Sequence, residues 1–96
     1  MSFIHYVILL SKLKPLTEEI VRKHVKQLQQ LENNGQLVLC GPFNDYDGGM
    51  LIIQAKDKAE AISIAEADPF IQEGYETYEL RTLEQSCEAN QHLGMA

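Results

Sequence analysis

Basic residues are scarce in this chain. Eight lysines and arginines stand against fourteen aspartates and glutamates, for a net charge of −6. A phosphate backbone is held by a positive footprint, and the cations here gather only loosely, at Lys12, Lys14, Arg22, Lys23 and Lys26. Nucleic acid is therefore excluded as an expected partner. Cysteine is as sparse. Cys40 and Cys87 have no metal or redox spacing, and Cys40 lies in an apolar segment, where a buried free thiol is common. A reducing cytoplasm suits them better than a disulfide. Long apolar runs are missing too, so no bilayer span is expected. The opening MSFIHYVILLSKLK lacks the basic lead-in and small-residue cleavage site of an export signal, and reads as a strand.

What is present suits one small α+β domain. Ninety-six residues with 45% apolar and 23% charged side chains build a single, thin core. FIHYVILL (3–10) is β-branched, aromatic and apolar, the signature of a strand. Thr17 is a helix N-cap followed by Glu18 and Glu19. Ile20, Val21, His24, Leu28 and Leu31 then recur at helical steps up to the Asn34-Gly35 stop. QLVLCGPF (36–43) and MLIIQA (50–55), joined by NDYDGG, predict an antiparallel hairpin. Asp57 and Glu60 have capping-box spacing and open a second helix through Ala67. Its stripe is Ala61, Ile64 and Ala65, and Asp68 continues it. A short turn through Gln72 leads to the last strand, YETYELRTL (75–83).

The order β-α-β-β-α-β is the ferredoxin-like arrangement, an antiparallel sheet with two helices on one face. The domain is expected over 1–83, and 84–96 is a polar, patternless tail. Strands covered on one side alternate apolar and polar residues, and these do not. Phe3, Val7 and Leu9 oppose Ile4, Ile8 and Leu10; Leu37 and Leu39 oppose Val38 and Cys40; Leu51 and Ile53 oppose Met50 and Ile52. Helices cover one of these faces. The other exceeds the apolar patch a monomer exposes and predicts a homodimer packed sheet to sheet.

Two residues are unusual for their places. His24 lies on the inward stripe of the first helix, where a buried imidazole needs partners for its nitrogens. It reads either as a core-edge side chain bonded to a carbonyl or as a general acid–base. Asp68 ends the second helix, where the dipole disfavours an acid, and Pro69 holds it in extended geometry. It reads either as an Asx turn or as a carboxylate facing His24, since the two helices lie side by side. That carboxylate would fix one imidazole tautomer. Asp45, Asp47 and Gly48 match only part of a calcium loop, with Phe43 and Gln54 at its end positions, so a hairpin turn is expected. His5 and His92 have no zinc spacing, and Gly48-Gly49 matches no phosphate fingerprint.

The strand FIHYVILL, "RKHVKQLQQLENNG", "GPF", "DGGMLII", "AEAISIAEADPF" and the strand after Gly74, in this order, resemble the YciI-like (YCII-related) family of dimeric α+β barrels. The resemblance covers about residues 3–83. It implies that His24 and Asp68 are a paired active site. Gly41, Pro42 and Gly49 match the family's hairpin residues, which are structural or pocket-forming, and Phe70 is a further expected pocket residue. Relatives often carry an arginine where this chain has Val21, and Arg22 points elsewhere on the helix. The family's dehydrochlorinase branch and the related isomerase barrels imply proton transfer on a small ring or enol.

The expected function is thus a cofactor-independent lyase or isomerase using a His–Asp pair on a small-molecule ligand, without metal or other cofactor, in the cytoplasm. The alternative is a non-catalytic dimeric module that binds a small metabolite or serves a larger assembly, because a shared fold does not decide function. Solvent access to His24 beside a cavity separates the two.

Overall fold

A computed structural model of the chain describes residues 3–96. Its elements are β1 (Ile4–Lys12), α1 (Glu18–Asn33), β2 (Leu37–Pro42), β3 (Gly48–Ile53), α2 (Lys58–Ala67), a single turn α3 (Pro69–Gln72) and β4 (Glu76–Glu84). The strands form one antiparallel sheet in the order β2-β3-β1-β4. This is the ferredoxin-like arrangement.

Local chemistry starts and stops the helices where the sequence indicates. The Thr17 hydroxyl accepts from the backbone N–H of Ile20, and Gly35 takes a left-handed φ of 72° after the last turn of α1. At α2 the Asp57 carboxylate accepts from the N–H of Glu60 at 2.8 Å. The return bond of the capping box is displaced by one residue: Glu60 accepts from the N–H of Lys56 rather than of Asp57, and also from the Gln36 amide.

The core lies between the helices and one sheet face. Tyr6, Ile8, Leu10, Leu51 and Ile53 of the sheet meet Ile20 and Leu31 of α1, Ala61 and Ala65 of α2, and Phe70. Alanines on α2 let that helix sit close to the strands. The opposite face carries Val7, Leu9, Met50 and Ile52, each half-buried, with Leu39 and Leu83 at 57% and 43% exposure. No helix covers it.

Two expectations need correction. Leu37 and Leu39 do not share a face. A bulge at Val38 pairs Leu37 with Ile53 and Leu39 with Ile52, and an extra residue in one strand shifts the alternation. Leu37 and Cys40 consequently pack against the core, while Leu39 turns to the open face. The tail is also not patternless. It carries a 3₁₀ turn at Glu88–Asn90, then a left-handed turn in which Gln91, His92 and Leu93 have φ of 54°, 49° and 61°. It lies mostly exposed. Among the described residues no helix is long and apolar enough to cross a membrane.

Candidate active site

Asp68 belongs to two elements at once. It ends α2 and, with φ −63° and ψ 126°, begins α3, where Pro69 takes the first helical position. Proline suits that position because it has no N–H to satisfy and its φ is already helical. The turn expected through Gln72 is therefore a helical one, and the acid is unfavourable to α2 but favourable to α3. Its Oδ1 accepts from the N–H of Phe70 at 2.9 Å. Asp68 is 3% exposed, so a carboxylate there has to be bonded.

The same Oδ1 is 2.9 Å from Nδ1 of His24. A carboxylate only accepts, so Nδ1 carries the proton and Nε2 of the neutral ring is the free lone pair. The Phe70 ring stacks on the imidazole, with centroids 3.9 Å apart and planes 12° from parallel. Phe70 thus acts twice, its backbone holding the carboxylate and its ring fixing the imidazole plane. Lys23 adds a second tie between α1 and the end of α3 through Glu73, at 3.0 Å.

His24 and Phe70 line a cavity of about 310 Å³ between α1 and the β2–β3 hairpin. Gly41, Pro42 and Gly49 line it as well, whereas Asp68 stands behind the imidazole and does not. The small residues have a steric reason. A Cβ on Gly49 would lie 2.7 Å from the Gly41 carbonyl oxygen, and one on Gly48 would lie 1.9 Å from that of Leu10. Val21 also lines the cavity, while Arg22 points out and pairs with Glu18. Cys40 is half-buried at the cavity wall. Burial, and then the Glu32 charge, push its thiol pKa up, so it stays protonated and is a poor nucleophile.

Glu76 is the residue that sequence reading missed. It is 4% exposed, lines the cavity, and its Oε1 has no hydrogen-bond partner. Burial above all raises its pKa from the ordinary 4.5; Asp68 adds to this, and His24 and Lys12 oppose it. The signal was in the strand: Glu76 shares parity with Tyr78 and Leu80, which pack on the core, so its side chain faces the helices. His5 lies on the open face opposite Leu83, and His92 bonds Ser86 in the tail. Neither joins the site. Among the described residues no three His, Cys, Asp or Glu side chains are grouped as a metal site would need.

The fold and the site together define a ferredoxin-like α+β domain with a histidine–carboxylate pair at an apolar cavity. Within it, residues 4–84 match the YCII-related domain, and the chain belongs to that family. It is similar to the uncharacterized protein YjpA of Bacillus subtilis (strain 168), with 33% identity over 69 residues, covering 72% of this chain and 81% of that protein. In fold it resembles 5-chloro-2-hydroxyhydroquinone dehydrochlorinase (TftG) of Burkholderia phenoliruptrix AC1100, solved with 2,5-dihydroxybenzoquinone. The TM-score is 0.65 at 19% identity, over 91% of this chain and 99% of that one.

Proposed function

We propose that this protein is a cofactor-independent lyase or isomerase that moves a proton on a small ring or enol substrate. The supporting observation is the imidazole itself: Nδ1 is tied to Asp68, the ring is stacked on Phe70, and the residue lines a cavity of small-ligand size. His24 is the catalytic base and then acid, acting through Nε2. Asp68 positions it and stabilises the imidazolium that forms. Gly41, Pro42, Gly49 and Phe70 shape the pocket. The dehydrochlorinase of like fold makes chlorinated hydroxyquinols the first substrates to try. Loss of HCl fits the same machinery, with His24 taking a hydroxyl or ring proton as chloride leaves with the carbon–chlorine pair.

The working unit is a homodimer joined through the open sheet face, where Val7, Leu9, Leu39, Met50 and Ile52 lack a covering layer. Light scattering at micromolar concentration should return twice the chain mass; the mass of one chain overturns this. For the activity, the purified protein is given 5-chloro-2-hydroxyhydroquinone and chloride release is followed. Activity in the wild type that falls about 10²–10⁴-fold in His24→Ala supports the proposal. Mass spectrometry of co-purified small molecules extends the test to other substrates. A ligand that is bound but never converted points instead to a metabolite-binding module.

A further inference from the structure

A buried carboxyl group with no partner for one of its oxygens is costly to a fold of this size. The sheet could hold a leucine there without that cost, as it does at Leu80, two pairs along the same face. Glu76 reaches the cavity from β4, and His24 lines the same cavity from α1. Its cross-strand neighbour Lys12 also lines the cavity, and the two form no ion pair. The groups that face it electrostatically are Asp68 from the α2–α3 junction, His24 from α1 and Lys12 from β1.

We infer that Glu76 is the cavity's carboxylic acid, donating its proton to a ligand's carbonyl oxygen while His24 presents its basic nitrogen to the same cavity. Two titratable groups of different kinds in one site can divide the roles of base and acid. The ligand class follows: a small ring that carries a carbonyl, or the keto form of a ring hydroxyl, to accept from Glu76. As a proton-transfer partner, Glu76 rests on the reading of His24 given above. In the step, Nε2 of His24 takes a proton from the carbon next to the carbonyl, and that C–H pair becomes the enol double bond. The carbonyl π pair moves to oxygen, which takes the proton of Glu76. His24 then returns its proton to the same or a conjugated carbon, and Glu76 recovers its own from the enol hydroxyl. Nothing is oxidised or reduced.

The test uses the full chain with glutamate labelled at the side-chain carboxyl carbon, observed by ¹³C NMR. The Glu76 signal is assigned by its loss in Glu76→Gln, and cyclohex-2-enone is the probe. Glu76 should stay protonated to higher pH than the exposed Glu18 and Glu79, and its signal should move on adding the probe while theirs do not. In deuterated water the wild type should exchange the probe's protons next to the carbonyl, with a loss of about 10²-fold or more in Glu76→Gln. A Glu76 that ionises together with Glu18 and Glu79, or whose signal ignores the probe, overturns the inference whatever His24 does. A Glu76 that responds while the His24 ring signals do not, and exchange that survives His24→Ala, overturn the proton-transfer role of His24 and leave Glu76 as the ligand's hydrogen-bond donor.

Discussion

Asp68→Ala is the sharpest probe of how the site is built, because one carboxylate oxygen serves two donors. Alanine removes the cap on α3, a loss of about 1 kcal/mol. It also leaves the His24 Nδ1–H without its acceptor in a side chain only 11% exposed, which adds about 1–3 kcal/mol. The sum is about 2–4 kcal/mol. A domain of this length is stable by roughly 5–15 kcal/mol in total, so the melting temperature should fall by roughly 8–30 °C. Asp68→Asn keeps an oxygen of the same reach for both donors, and asparagine caps helices as well as aspartate does. It should stay within about 1 kcal/mol of the wild type. Thermal unfolding by circular dichroism, at one fixed protein concentration because self-association raises apparent stability, measures both. Ring nitrogen shifts of His24 give the tautomer directly: proton on Nδ1 in the wild type, a mixture in Asp68→Ala. An alanine variant as stable as the wild type, or an asparagine variant as damaged as the alanine one, would refute the shared-oxygen account.

Glu76 gives a pH signature with a definite sign. Its pKa in the fold is raised above the ordinary 4.5, so the folded state holds this proton more tightly than the unfolded chain, and stability falls as pH rises from about that value through the folded pKa. Urea titrations of the wild type and Glu76→Gln should diverge over this window, with the variant increasingly the more stable; parallel curves would show an unstrained carboxylate. Glu76→Leu should melt higher than the wild type, because it removes an unsatisfied buried oxygen, and a lower melting point would mean that the carboxyl is bonded. Among the hairpin glycines, Gly48→Ala should be the most damaging and Gly49→Ala the next. Gly41→Ala, with nothing within 4 Å of its new Cβ, should be nearly neutral to unfolding of the isolated chain; urea midpoints that reverse this order would contradict the strand spacing. Removing residues 86–96 should leave the unfolding transition nearly in place, since the segment lies mostly on the surface, and a shortened chain that failed to fold would place the tail in the core.

The elements and their order were legible because the physics behind them is local. Thr17 and Asp57 as caps, Gly35 as a left-handed stop, and the three- and four-residue recurrence from Ile20 to Leu31 are all properties of short windows. The neighbouring of His24 and Asp68 could be anticipated as well, since topology lays the two helices side by side and each residue extends an inward stripe. Other features depend on what meets across the fold. The Val38 bulge is set by pairing with β3 and leaves no mark in a strand apolar at every position. That Asp68 begins a new helical turn depends on where the chain goes after Pro69, and that Phe70 both bonds Asp68 and stacks on His24 depends on the packing of α3 against α1. Glu76 shows the division most sharply. Strand parity alone could have assigned its face, but burial and the missing partner for Oε1 arise only when the helices close over the sheet and leave the cavity beside it.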